Sequence, residues 1–419
     1  MSEARPFDIV VLADFAAAER PRAVSCAIDL DSLDSFLGAF RPTLALGLDF
    51  CGELELSSAA QLHPDALCAL VHGLSALLEA RAEAHDPRRM AELAAEAGAR
   101  IDFESAPEAA ERRGERAPGS NRALLDELLG GRAREDTDPV RRLARSLGAA
   151  ASDRGDHDAA ERRRAAIDAE LHRRLRALLR DPELRRLEGL SLGLRALARS
   201  APDPERVRIR AVHAPLDSLE TAAAQIASAS FLVAAHGFGG DESGLARLRA
   251  LARLAQGAGV GALAAGNFRG SDWEKLRSEA GAKHIGVCHP RVLARLPYGA
   301  KTDAIESFRF EELEGAGDAS SFVWCDGALA AARALARCVT ETGDARELSR
   351  FLVLDDLPVY AGAAAMGLLP VGPTEEVLTE REAEALVARG INPIVAMRGS
   401  DQARMPAFLA IDGHSLVAR

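Results

Sequence analysis

At 419 residues, with 48% hydrophobic and 27% charged residues, the chain is long enough for two or three domains with real cores and has an ordinary globular composition. A net charge of −11 excludes a broad basic face for neutralising nucleic-acid phosphates. No run of about 18 apolar residues is present to span a membrane. Met1-Ser2-Glu3-Ala4 is not a basic segment leading into an apolar core, so no secretory leader is expected. Cys26, Cys51, Cys68, Cys288, Cys325 and Cys338 form no C-x-x-C pair, which points to buried thiols in a reducing compartment and to a cytoplasmic protein.

Phe7–Leu12 is a short, apolar, β-branched run and predicts a strand suited to joining a sheet edge. Asp31 is placed to cap a helix reaching Phe40, with Leu33, Phe36, Leu37 and Phe40 on one face. Pro42 ends it, and the alternation of Leu44, Leu46, Leu48 and Phe50 predicts extended chain over Thr43–Leu56. His63-Pro64-Asp65 opens a second helix, proline suiting its first turn. Residues 86–119 are rich in Arg, Glu, Ala and Gly and read as a charged linker or loosely held helix. Arg132–Arg164 has the same texture. Ile167–Leu197 is helical in its spacing, with an interruption at Asp181-Pro182.

Beyond residue 200 the rhythm changes. Strands are predicted at Val207–Val212, Ser230–Ala235, Val260–Ala265 and Ile285–Cys288, with helices at Leu219–Ala227 and Leu245–Ala258. This alternation argues for parallel βαβ units, and the unbroken apolar strands fit burial on both faces. The tail is mixed, with strands near Phe351–Leu354 and Ile394–Met397 around a helix at Thr379–Ala388. The expected fold class is α/β: a small N-terminal α+β unit (1–85), a charged linker (86–119), a helical connector (120–200), and a larger body (201–419) with a mixed, partly parallel sheet covered by helices.

Several motifs invite a chemical reading. Gly189-Leu190-Ser191-Leu192-Gly193 fits G-x-S-x-G, but a nucleophile elbow needs a preceding strand, and here Leu187, Leu190, Leu194 and Leu197 carry a helical stripe through it. His236-Gly237-Phe238-Gly239-Gly240 lies between a strand and a helix, where a phosphate loop would sit. It lacks G-x-G-x-x-G and G-K-[ST], so a tight turn with Asp241 or Ser243 as helix cap is the simpler reading. Asp29, Asp31, Asp34 and Asp49 lack the glycine and glutamate of a calcium loop. His284 and His289 fall on opposite faces of a strand and cannot share a metal. Arg291, Arg295 and Tyr298 could form an anion clamp, but pairing of the arginines with carboxylates such as Glu306 or Glu311 is preferred. No catalytic, cofactor-binding or metal-binding residue is expected.

The most informative stretch is Trp273 to Gly299: Trp273, Leu276-Arg277, a glycine, Pro290-Arg291, then Arg295-Leu296-Pro297-Tyr298-Gly299. This order and spacing resembles the signature of the large subunit of the type VI secretion contractile sheath, the ImpC/TssC/VipB family. Ile305-Glu306-Ser307-Phe308, Phe322-Val323-Trp324 and Pro373-Thr374-Glu375 are similar to later blocks of that family, and the resemblance covers about 120–419. The opening Arg5-Pro6-Phe7-Asp8-Ile9-Val10-Val11-Leu12-Ala13-Asp14-Phe15, with Ile28-Asp29 and His63-Pro64-Asp65, is similar to the small sheath subunit (ImpB/TssB/VipA). Two departures stand out. Glu279-Ala280 replaces the usual Ser-Pro, and Cys325-Asp326 the usual Gly-Asn after the second tryptophan. The large subunit also normally continues well past the point matching Phe408, so small oligomers or co-assembly with full-length subunits are expected, not long tubes of this chain alone.

The resemblance implies a non-catalytic component or accessory of a contractile sheath, built of subunits joined by strand exchange. Implied partners are itself or other sheath subunits, and inner-tube, baseplate or disassembly ATPase proteins, with no cofactor, nucleic acid or membrane insertion. The alternative is a nucleotide- or small-molecule-binding α/β domain or enzyme using the His236–Gly240 turn.

Overall fold

The computed structural model describes residues 5–15, 24–47, 50, 52–99, 101, 139–314, 321–360 and 372–417, giving the backbone course alone for 139–156. The strands, in chain order, are β1 (Phe7–Ala13), β2 (Ser25–Ile28), β3 (Thr43–Ala45), β4 (Glu53–Glu55), β5 (Val207–His213), β6 (Phe231–Gly237) and β7 (Gly261–Ala265). They continue with β8 (Ile285–His289), β9 (Val292–Leu293), β10 (Trp324–Cys325), β11 (Val353–Leu354), β12 (Ile391–Pro393), β13 (Val395–Ala396) and β14 (Ala403–Arg404). Helices are named below by their residues. The chain forms two compact units, 1–71 with 175–419, and 72–174.

The larger unit is built on a seven-stranded sheet in the order β12-β8-β7-β6-β1-β5-β2. All neighbours are parallel except β2, which runs antiparallel to β5. The α/β class and the mixed, mainly parallel sheet agree with the sequence reading. The position of β1 does not. It is no edge strand, because Phe7–Ala13 pairs along its whole length with Val207–His213 while Ile9–Leu12 pairs with Phe231–Ala234. The buried Asp8 carboxylate fixes this register, its Oδ2 lying 2.5 Å from Nη2 of Arg210.

Side chains alternate across the sheet, and both faces are covered. On one, Val10, Leu12, Leu232, Ala234, Ala262, Ala264, Ile285 and Val287 meet Leu245, Leu248, Leu251 and Ala255 of the helix Glu242–Ala258. On the other, the alanine-rich helix Gly327–Thr342 packs against β5 to β8 and against the helix Pro182–Ser200. Small side chains let that helix come close, and eleven of its residues are buried. Phe15, just past β1, stacks on Phe40 at 4.5 Å and meets Phe36 edge-on at 6.2 Å.

The predicted extended stretch Thr43–Leu56 is a short hairpin, with Leu44 facing Leu54. Asp31 does not cap the next helix. Oδ1 of Asp29 instead accepts from the backbone of Asp31 and Ser32, holding a turn, and the helix spans only Phe36–Phe40. Asp49 lies outside the described residues.

The second unit carries the helices His72–Ala82 and Pro87–Glu96 and most of the long helix Pro139–Leu179. Asp86 caps Pro87–Glu96 by accepting from Arg88 and Arg89, and Met90, Leu93 and Ala94 are buried. Arg81 pairs with Asp168 at 2.5 Å, and Arg174 donates to the carbonyl of Ala97 at 2.7 Å. Of the expected linker 86–119, residues 102–119 lie outside the described residues. The described part of Arg132–Arg164, from Pro139, is helix, in keeping with a helical connector over 120–200.

Candidate functional site

The signature segment follows the path of the sheet. Trp273 is fully buried, stacks on Phe268 at 5.1 Å and donates through Nε1 to the carbonyl of Arg389 at 2.9 Å. Arg277 donates through Nε to the carbonyl of Ile411 at 2.7 Å. β8 then inserts between β7 and β12, and beyond Pro290 the chain pairs through β9 with β10, setting Leu293 opposite Trp324.

At the end of the segment Arg295 enters the interior. Its Nε lies 2.6 Å from Glu188 Oε1 and its Nη2 3.1 Å from Glu188 Oε2. Nη1 reaches Glu312 Oε2 at 2.7 Å and the carbonyl of Leu296 at 2.9 Å, and Nη2 reaches Glu312 Oε1 at 3.2 Å. A guanidinium has five N–H donors, and all five are used here. The group also lies 4.0 Å from the Tyr298 ring centroid, whose hydroxyl donates to Glu188 at 3.3 Å and whose amide donates to Glu312 at 2.8 Å. Burial disfavours the charge of Arg295, but Glu188 and Glu312 outweigh it and raise its pKa, while burial raises that of the Tyr298 phenol. The cluster is a saturated, charge-paired clamp fastening the helix Pro182–Ser200 to the signature loop.

The sequence therefore located the residues but not their partners. Arg291 pairs with Glu375, Nη2 to Oε1 at 2.5 Å, and Arg295 with Glu188 and Glu312, not with Glu306 or Glu311. Glu306 and Ser307 donate their backbone N–H groups to Asp65, and Ser307 Oγ lies 2.5 Å from Asp65 Oδ1. The Glu311 carboxylate accepts from Ala300. His63 meets the Tyr298 ring edge-on at 5.1 Å. No local signal pointed to Glu188, which lies on a helix more than a hundred positions upstream.

The remaining motifs fall into place structurally. Gly189 and Gly193 sit within the helix Pro182–Ser200, and Ser191 Oγ donates to the carbonyl of Leu187 at 2.7 Å. A Cβ at Gly189 would stand 2.4 Å from the Trp324 carbonyl oxygen, and one at Gly193 2.7 Å from Cys325 Sγ. At the His236–Gly240 turn Asp241 caps the helix, accepting from Gly244 at 2.9 Å, so a carboxylate of the chain already holds that N-terminus. His284 faces the carbonyl of Val260, and His289 lies beside Asn267 and Glu376.

Residues 221–411, a little under half of the chain, match the family model described as VipB: EvpB/VC_A0108, tail sheath N-terminal domain. Over this region the chain is similar to the type VI sheath large-subunit family. The type VI secretion system sheath protein TssC1 of Pseudomonas aeruginosa is 32% identical over 133 residues, which covers 31% of this chain and 27% of that protein. The aligned part thus spans about a quarter of that relative's length. The matched region takes in β6, β7, β8 and β12, the signature segment, and Arg295 with Glu312. Glu188 and β1 lie outside it. No helix among the described residues is long and apolar enough to cross a membrane.

Proposed function

We propose that the protein is a structural component or accessory of a type VI-like contractile sheath, with no catalytic role. The observation that carries this reading is the match of residues 221–411 to a sheath domain. It is supported by the use made of the signature residues: Trp273, Arg277, Arg291, Arg295 and Tyr298 are engaged in packing and internal pairing. On this reading the N-terminal region, about 1–85, is a small-subunit-like head joined through a charged connector to the large-subunit-like body. β1 within the body's sheet and Asp65 on the Glu306–Ser307 backbone support one chain supplying both parts. Fusion in this way holds the two at high effective concentration.

Partners on this reading are other copies or other sheath subunits, and beyond them inner-tube, baseplate and disassembly ATPase proteins. A cytoplasmic setting fits the free thiols of Cys26, Cys68, Cys288, Cys325 and Cys338. Sedimentation and electron microscopy of the purified protein, alone and mixed with sheath subunits, test the proposal. Self-association or co-assembly is expected. A strict monomer that ignores other sheath subunits rules it out.

A further inference from the structure

A cavity of about 410 Å³ lies beyond the carboxyl ends of β6 and β8, bounded by Gly237 and Arg291, on the face covered by the helix Gly327–Thr342. In open parallel sheets this crevice is the usual place for a ligand. Four guanidinium groups line it, from Arg180, Arg185, Arg186 and Arg291. Two long helices, Pro182–Ser200 and Gly327–Thr342, begin at its wall, their N-termini already held by the carboxylates of Asp181 and Asp326. Phe322 and Trp324 form an apolar side.

Arg186 and Arg291 are positioned but keep capacity. Arg186 is held by Glu183 and donates to the carbonyl of Asp14, Arg291 is held by Glu375, and Nε of Arg185 donates to the carbonyl of Leu179. A guanidinium has five donors, so in Arg186 and Arg291 these bonds leave donors for a ligand. We propose that this cavity binds an oxyanion, phosphate or carboxylate, carried on a small body lying against the Phe322 and Trp324 rings. The inference does not depend on the sheath reading.

Among the described residues Asp326 is the one carboxyl in the lining, and it opposes an anion when ionised. Burial pushes it up to about 7, while its bond from Ala328 and the charge of Arg291 act in the other direction. The groups facing it are Arg291, the thiols of Cys288 and Cys325, and the three arginines across the cavity. Burial raises both thiols, so they stay protonated through neutral pH. The cavity is therefore more positive at pH 6 than at pH 8, and tighter binding of a carboxylate, which is ionised at both, is expected at the lower value.

The chain has two tryptophans, and Trp324 lines the cavity, so its fluorescence reports occupancy. Titration with sodium phosphate and with sodium glutarate at constant ionic strength is expected to give a saturable change. Trp324→Phe removes that change while calorimetry still reports binding. Arg185→Gln weakens binding by roughly tenfold, as loss of one charge-assisted contact predicts. Exposed Arg180→Gln, which breaks no internal bond of its side chain among the described residues, weakens it in the same direction. Asp326→Asn tightens it at pH 8 and removes the pH dependence of glutarate binding. The tighter of the two anions assigns the source, a free phosphate ester or a carboxylate side chain of a polypeptide. No saturable response from folded protein, or responses unchanged in both arginine variants and in Asp326→Asn, overturns the proposal.

Discussion

Arg295 and Glu188 stand 107 positions apart in the chain and meet at 2.6 Å, both almost excluded from solvent. Two charges removed from water are held by geometry and hydrogen bonds, and the arrangement punishes loss of one partner far more than loss of the set. Glu188→Gln should cost about 3–5 kcal/mol in urea unfolding, the scale of a broken buried pair. Joint replacement by Glu188→Leu, Arg295→Met and Glu312→Leu should cost much less. A single Glu188→Gln loss below about 1 kcal/mol would place the clamp among ordinary surface pairs.

Gly189 offers a test of opposite sign. In an exposed helix Gly→Ala stabilises by about 1 kcal/mol. Here the added Cβ would press on the Trp324 carbonyl oxygen, so Gly189→Ala should destabilise, by about 1–3 kcal/mol as overpacking does. Ser191→Ala loses only a bond to its own helix and should change stability by less than about 1 kcal/mol. Thermal unfolding of the two variants separates these outcomes.

Asp326 should leave a mark on the pH dependence of stability. Burial holds its carboxyl up at about 7 in the folded protein, above its ordinary value. The folded state then binds the extra proton, so the contribution of Asp326 declines as pH rises through the interval up to about 7. His236 acts in the other direction, because burial holds it down at about 4 and its contribution is lost as pH falls from its ordinary 6.5 towards that value. The two oppose each other in acid, so the clean window for Asp326 is pH 6.5 to 8. Asp326→Asn keeps an acceptor for Ala328 and should raise stability at pH 8 by up to about 4 kcal/mol while flattening that window. An unchanged slope between pH 6.5 and 8 would mean the carboxyl is ionised throughout.

Asp65 accepts from two backbone amides and a hydroxyl of Glu306 and Ser307. Burial works against its ionised form, but these donors prevail and hold its pKa below the usual range. Its contribution is therefore present above the ordinary carboxylate pKa and lost only in acid. Asp65→Ala should cost about 2 kcal/mol, the scale of bonds to a charged acceptor, with a loss that shrinks below pH 3.8. Faster hydrogen exchange at the amides of Glu306 and Ser307 checks the assignment.

Strands β5, β6, β7 and β8 were legible to within a residue or two, because unbroken apolar runs between helical spacings have few other solutions. Sheet order was not. Nothing local in Phe7–Leu12 says that Val207 and Phe231 will be its neighbours, and an isolated apolar strand fits an edge as readily as a centre. The site divided in the same way. Arg295 and Tyr298 stood out by pattern, but choosing Glu312 over its neighbour Glu311 depends on which way a loop turns, and Glu188 on a tertiary approach. Arg132–Arg164 falls in the expected helical connector, and its described part is helix because polar residues that are good helix formers do not forbid one.

The place of β1 also sets an order of events during synthesis. Ile9-Val10-Val11-Leu12 leaves the ribosome before its two neighbours, β5 and β6, which lie roughly two hundred residues further along the chain. At about 5–20 residues per second, that strand waits roughly 10–40 s before its ladder can close. The middle of the sheet is thus made before its flanking strands and is among the last parts finished.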